Sequence, residues 1–183
     1  MYAFNGDILK SITTPSDSAS CPLGYKMWVG SHSLGLVIND ASKNEFALEF
    51  IYGRFSQAFA VTGGLPAYVH YDSTYGNFCF SDVNEAAYDK TCVGITPAFT
   101  VAPTAGQYGW VQCGGLNGWA LTTSEAAAVG QALVPVNGAT TVEATDSDAE
   151  SIKAVGVLLG PAVASATTTL VGTVWIGGIY GRS

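Results

Sequence analysis

The sequence predicts an all-β protein made of short strands that close into small barrels or pack as sandwiches. The first observation is a period of two in Phe46, Leu48, Phe50 and Tyr52, which alternate with Ala47, Glu49 and Ile51 as a strand requires. The second is that Gly, Asn, Pro or Asp closes each apolar run after a few residues. We therefore expect little helix beyond a turn or two.

Residues 106–183 form the most regular part and the proposed second β unit. Its short apolar runs predict strands at 108–113, 118–123, 131–136, 140–144, 155–159 and 170–176. Asn117-Gly118, within the sequence Gly-Gly-Leu-Asn-Gly, predicts a hairpin turn between the first two, because both residues tolerate positive φ. Residues 124–128 are interpreted as a strand end or turn. Six strands in about seventy residues bury their faces best as a small barrel or sandwich.

Residues 46–103 form the proposed first β unit. Gly53 is expected to interrupt the first strand, which then continues over residues 55–61. Further strands are predicted at 65–71, 78–80 and 92–95, with turns at 62–64 and 72–77 and an acidic loop at 82–89.

The two units are interpreted as an internal repeat. A Gly turn followed by an apolar strand with one Pro occurs at Gly64 and again at Gly130, and a Val-Gly strand after an acidic loop occurs at Gly94 and at Gly156. Two similar, separately closed β units are the expected architecture.

Residues 1–45 have no counterpart in either unit and are predicted to form an irregular arm or flap. The polar run 13–20 is expected on the surface, followed by short strands at Tyr25–Val29 and Leu34–Ile38. These strands must bury their faces, and we predict that they do so against a neighbouring subunit or partner, so that the arm supplies much of the binding surface. Extension of the first unit's own sheet is the alternative.

The charge pattern limits the classes of partner. The net charge is −7, and the seven basic residues are scattered, which argues against nucleic acid. The start of the chain does not resemble a secretion signal, and no stretch approaches the length of a membrane span, so we expect a protein made in the cytoplasm without a membrane partner. Charged residues make up only 11%, against roughly 25% in typical soluble domains. Such a surface predicts coverage by symmetry mates or by a larger assembly.

Catalysis, cofactors and metals are not expected. Cys21, Cys79, Cys92 and Cys113 lack metal-ligand spacing and are predicted to be reduced, buried thiols, with Cys92 on a strand. A structural disulfide is the alternative. His32 between two serines is interpreted as part of a turn, because sequence neighbours do not form a Ser–His pair. A glycosidase would need two facing carboxylates, and the candidates in the sequence are Glu45, Glu49, Asp72 and Asp82.

The order of strands and turns resembles that of the capsid decoration (cement) proteins of tailed bacteriophages. The segments that carry the resemblance are Tyr108–Gln112, Gly130–Pro135, Ala154–Val157 and Gly172–Ile176, and it covers residues 46–182. It implies a non-enzymatic, β-rich virion protein that docks on the outer capsid lattice, often as a trimer, with the major capsid protein as its partner.

Aromatic and aliphatic residues are the candidates for that interface. They are Tyr25, Trp28, Leu34, Val37, Trp110, Trp119 and Trp175. Each tryptophan has a core position as its alternative. The competing functions are a phage tail or fibre component and a carbohydrate-binding β module. The latter would need Tyr68, Tyr71 and Tyr75 exposed on one face.

Overall fold

A computed structural model describes residues 8–30, 47–82, 91–136, 141–145, 154–164, 169–170 and 173–177 of the 183-residue chain. One short helix and twelve strands form within these residues, which confirms the all-β class. They are α1 (Ile8–Thr13), β1 (Lys26–Gly30), β2 (Ala47–Phe55), β3 (Pro66–Asp72), β4 (Gly76–Ser81), β5 (Thr91–Ile95), β6 (Tyr108–Leu116), β7 (Leu121–Thr122), β8 (Ala132–Pro135), β9 (Val142–Ala144), β10 (Gly156–Leu158), β11 (Thr169–Leu170) and β12 (Val174–Gly177).

Five of the strands close into a small barrel. Ten strands form one sheet in the order β1-β2-β4-β3-β5-β6-β12-β10-β8-β9, and β2 also pairs with β6. That extra pairing joins β2, β4, β3, β5 and β6 into a closed ring, in which each strand pairs with a neighbour on both sides.

The barrel branches at one end. β2 pairs with β1 over its first half, from Ala47 to Ile51, and with β4 only at Arg54 and Phe55. β6 likewise leaves β5 and pairs its last three residues with β12. β1 and β12 therefore extend from the same end of the barrel, where β2 begins and β6 ends.

Both faces of β2 and β6 in the barrel wall are mostly buried, which explains the high apolar content of these two strands. Ile51, Phe55 and Val111 point to the interior, where Phe55 packs edge to face against Phe59 and Phe99. Phe50 and Tyr52, on the opposite face of β2, belong to an outer core. The predicted alternation is correct, but each face of β2 meets its own apolar layer.

In the predicted N-terminal arm, the structure describes residues 8–30, and these pack on strands of the first proposed unit. β1 pairs with β2 over five residues, and Ile12 of α1 and Val29 are buried in the outer core with Trp110. β1, at the position of the predicted strand Tyr25–Val29, thus extends the sheet of the first proposed unit, as in the alternative to burial against a neighbour. The predicted strand Leu34–Ile38 lies outside the described residues.

A third core joins the two halves of the chain. Tyr68, Cys92 and Ile95 on barrel strands pack with residues of the later strands, including Leu133 and Val174. The strand orders β4-β3-β5 and β9-β8-β10 have the same connectivity, but this does not confirm the internal repeat. Strands from both proposed units belong to one sheet, and the division near residues 103–106 stays a prediction.

The predicted hairpin at residues 114–118 is wrong. β6 continues through Gly114 and Gly115 to Leu116, and β7 pairs with β11 instead of β6. Positive φ falls on Gly115, at +86°. Two buried side-chain amides explain the path of the chain here.

The first of these amides is Gln112, which is fully buried on β6. Its Nε2 donates to the carbonyl oxygens of Gly114 (3.1 Å) and Leu116 (2.7 Å), and its Oε1 accepts from the N–H of Gly118 (2.9 Å). This one buried side chain therefore forms hydrogen bonds with three backbone groups at the irregular end of β6 and just after it, which satisfies its own buried polar atoms.

The second amide is Asn117, which is also fully buried. Its Nδ2 donates to the carbonyls of Trp119 (3.1 Å) and Leu170 (2.9 Å), and its Oδ1 accepts from the N–H groups of Thr173 (3.0 Å) and Val174 (2.9 Å). All four hydrogen bonds that an asparagine amide can make are therefore formed. One side chain ties β6 to the starts of β7 and β12 and to β11.

The sequence had predicted that Gly53 interrupts this strand, and that prediction is wrong. β2 continues through Gly53 and ends at Phe55. A side chain at Gly53 would overlap the ring of Phe80, so the glycine makes room for an interior aromatic residue. Residues 56–61, predicted to continue the strand, form a loop.

The four cysteines are free and buried, and Cys92 lies on β5 as predicted. Burial, the main cause, raises the pKa of Cys92 and that of Cys113 to about 12 each. Burial also raises the pKa of Cys21 and of Cys79. At neutral pH these thiols stay protonated and unreactive in the folded protein.

We expect Asn117→Ala to lower the free energy of unfolding by about 3 kcal/mol or more, because it leaves buried carbonyl and N–H groups without partners. Urea denaturation measures the change. Asn77→Ala is the matched control, since Asn77 is exposed on β4 and should change stability by less than about 0.5 kcal/mol. Equal effects of the two substitutions would contradict the assigned role of Asn117.

We expect iodoacetamide at about pH 8 to leave the folded protein unmodified and to alkylate all four cysteines in concentrated urea. Mass spectrometry counts the modified thiols. The raised pKa values of Cys92 and Cys113 also make stability depend on pH. The contribution of these two buried thiols to the free energy of unfolding is complete below the unfolded pKa of about 8.5 and is lost as the pH rises toward 12. Rapid alkylation of the folded protein would contradict the assignment of the four thiols to buried positions.

Candidate functional site: a tryptophan groove and a charge-free shelf

The branched end of the barrel opens as a groove. β1 and β12 flank the beginning of β2 and the end of β6, and the space between them has a volume of about 150 Å³. We call this space the tryptophan groove. It is lined by Lys26, Trp28, Glu49, Ile51, Val93, Cys113, Gly114, Gly115, Trp175, Ile176 and Gly177.

Two exposed indoles stand at the groove. Trp28 on β1 is 61% exposed and Trp175 on β12 is 47% exposed. Gly177 makes room for Trp175, since a Cβ there would lie 3.2 Å from Cδ1 and 3.3 Å from Nε1 of the indole. The sequence named both tryptophans as surface candidates, and the structure brings them to one site.

The groove also holds an ion pair. The Nζ of Lys26 lies 3.3 Å from Oε1 of Glu49, and the Glu49 side chain is mostly buried. Gly114, paired with Glu49 across the sheet, has no side chain and so leaves room for that carboxylate. The carboxylate also contributes, after burial, to the raised pKa of Cys113. A hydrogen-bond donor and an acceptor of opposite charge therefore lie beside the two indoles.

Trp110 and Trp119, predicted as interface residues, are buried. Trp110 packs against Tyr52 and Tyr25, and Trp119 against Phe50, all within the outer core. Tyr25 is partly buried for the same reason. The prediction fails because Trp110 lies on the outer face of β6, within this core, and Trp119, in the chain after β6, packs into the same core.

Two predicted interface residues, Leu34 and Val37, lie outside the described residues, as do His32 and Glu45. The other proposed carboxylates are engaged separately. Asp72 accepts from the N–H groups of Thr74 and Tyr75, which lower its pKa, and Asp82 accepts from the side-chain amide of Gln57.

The tyrosine face that a carbohydrate-binding module would need does not form. Tyr68 is buried in the third core, whereas Tyr71 is 68% exposed. Tyr75 packs instead against Arg54, whose guanidinium lies 4.6 Å from the ring centroid and 5.1 Å from that of Tyr108. Burial raises the pKa of the Tyr68 hydroxyl far above its ordinary value.

A second surface, which the sequence reasoning missed, closes the other end of the barrel. Residues 56–65 follow β2, residues 96–107 follow β5, and neither segment contains a charged residue. We call them together the charge-free shelf. Phe59 and Phe99 anchor it on Phe55.

Backbone hydrogen bonds join the two segments of the shelf. The N–H of Phe59 donates to Pro103 (3.1 Å), and that of Phe99 donates to Val61 (2.9 Å). The exposed side chains are small and uncharged, and Val61 and Val101 are 47% and 65% exposed. The signal that could have revealed this surface was the absence of charge in both segments.

Ser56, the first residue of the shelf, contacts His70. The Ser56 hydroxyl lies 2.9 Å from His70 Nε2 and 2.9 Å from the carbonyl oxygen of Phe80, and His70 Nδ1 lies 3.0 Å from the carbonyl of Tyr71. These contacts link the end of β2 to β3 and β4, which is a structural role.

The described residues contain no cluster of three side chains that could ligate a metal. Within the same residues, no helix has the length and apolar character needed to cross a membrane.

The comparisons with known proteins leave the family undetermined. No protein-family model and no curated protein matches the chain. One similar solved structure is the crystal structure of the head fiber gp8.5 N base in bacteriophage phi29. The similarity covers 70% of this chain and 92% of that chain, at 18% identity and a TM-score of 0.39. Since a TM-score this low does not establish a common fold, no function follows from it.

Proposed function

We propose that this protein is a structural virion protein, a capsid decoration (cement) protein of a tailed bacteriophage. It binds the major capsid protein on the outer lattice and stabilises the expanded head by adding buried contacts between subunits. The observation that carries the proposal is the charge-free shelf, whose two segments contain no charged residue in a protein that is itself poor in charge.

The side chains of the shelf suit dry contact with another protein. Charged residues are depleted in the cores of protein interfaces, because a buried charge without a partner costs much free energy. Alanine loses no rotamer freedom when it is covered, and valine and threonine lose little, so docking on Val61, Val101 and their neighbours orders few flexible groups.

The shelf is also held in shape before any partner arrives. Phe59 and Phe99 fix both segments to the barrel interior, and the N–H of Thr100 donates to the carbonyl of Thr13 at the end of α1 (2.8 Å). A surface that keeps its free conformation loses little entropy on binding.

The proposal includes a homotrimer without enzymatic activity. Three shelves on one trimer would combine weak contacts into stable attachment at a three-fold position of the lattice. The separate engagement of Glu49, Asp72 and Asp82 supports a non-catalytic role, because a glycosidase needs two carboxylates that face each other. A tail or fibre component is the alternative, and images of the intact particle would distinguish the two.

We expect Val61→Lys and Val101→Lys each to weaken binding to heads that lack this protein by at least about tenfold, because docking would bury an unpaired ammonium group. Val129→Lys is the matched control: Val129 is 57% exposed but lies outside the shelf, and its change should alter binding by less than about twofold. Co-sedimentation with the heads measures binding, and circular dichroism checks the fold.

Three results would contradict parts of the proposal. Failure of the unmodified protein to bind heads would exclude the decoration role itself. Binding that is unchanged by the shelf substitutions would show that another surface docks. A monomer in sedimentation experiments and on the particle would exclude the trimer.

A further inference from the structure

We propose that the tryptophan groove binds a neutral glycan, with one pyranose ring seated against Trp28 and Trp175. The inference does not depend on capsid docking, because it uses the opposite end of the barrel. Along β2 the groove residue Ile51 and the shelf anchor Phe55 are four positions apart, roughly 13 Å. A protein docked through its shelf would therefore leave the groove accessible.

The size of the groove fits one six-membered ring. Its volume is about 150 Å³, and an apolar cavity of that volume in another protein accommodates benzene. The mouth of a β-barrel is also a preferred place for small-molecule sites. A longer glycan would extend from the open groove into solvent.

The two indoles supply the apolar part of the recognition. The C–H groups on one face of a pyranose are weakly positive and pack on the negative face of an aromatic ring. Trp28 and Trp175 are exposed enough to offer such faces. Gly177 has no side chain and so leaves space for the indole of Trp175 at the groove.

Lys26 and Glu49 supply the polar part. The ammonium group donates and the carboxylate accepts, which matches the two roles of a sugar hydroxyl. Their charges cancel, so the groove favours an uncharged ligand. The net charge of −7 on the chain acts further against an anionic glycan.

The same ion pair disfavours a protein segment as the occupant. A dry protein contact would remove water from Lys26 and Glu49 without replacing its hydrogen bonds, which is costly for a charged pair. Sugar hydroxyls would replace those hydrogen bonds. The shelf, which carries no charge, differs from the groove in this respect.

The test uses the full chain with maltohexaose, cellohexaose, mannohexaose and galactohexaose as probes, at concentrations up to about 10 mM, which detects a Kd of about 1 mM. Calorimetry measures binding, and tryptophan fluorescence reports on the indoles. We expect at least one probe to bind, and Trp28→Ala and Trp175→Ala each to weaken that binding by about tenfold through loss of stacking.

Two further variants sharpen the test. Glu49→Gln keeps the shape of the side chain, and we expect it to weaken sugar binding severalfold by removing the charged acceptor. Tyr71→Ala removes an exposed aromatic residue that does not line the groove and should leave binding unchanged.

The inference is overturned if none of the four probes binds. It is also overturned if a probe binds equally well to both tryptophan variants, which would place the sugar elsewhere. Loss of head binding by Trp28→Ala and Trp175→Ala, without any sugar binding, would assign the groove to protein contact instead. Because sugar binding and head binding are measured separately, failure of this inference leaves the docking proposal unaffected.

Discussion

The buried amides of Gln112 and Asn117 hold together the point on which the rest of the structure depends. At this point β6 leaves the barrel, changes partner to β12 and passes into the second half of the chain. Such a branch leaves backbone N–H and C=O groups without sheet partners, and burying them unpaired would cost about 1–3 kcal/mol each. The two amides satisfy these groups from within the core.

The branch also creates the groove. β12 can extend beside the barrel because β6 continues past its pairing with β5, and β1 extends on the other side because β4 pairs with β2 only near its end. Each barrel end then has its own chemistry. The loops that follow β2 and β5 cover one end with uncharged residues, whereas the other end stays open between Trp28 and Trp175.

The fold class follows from local patterns, whereas the site does not. Period-two alternation is a property of one strand, so it predicts β2 correctly without knowledge of its neighbours. Whether an aromatic residue is buried depends on which strand lies beside it. Trp28 and Trp110 both lie on short apolar strands, yet Trp28 faces the groove and Trp110 the outer core. The hairpin at Asn117-Gly118 failed for a related reason, since that asparagine is bonded to residues more than fifty positions away.

Because the chain has few charged residues, the positions of those few distinguish one surface from another. On a surface rich in Lys and Glu, the Lys26–Glu49 pair would be one solvated contact among many, with little effect on stability or recognition. Here it lies in a concave site beside two indoles, while the shelf has no charge at all. The charged pair in the groove needs hydrogen bonds from water or from ligand hydroxyl groups. Water can be removed from the shelf at little cost in free energy, because the shelf has no charged residue. The distribution of so few charges thus separates a surface suited to polar ligands from one suited to dry protein contact.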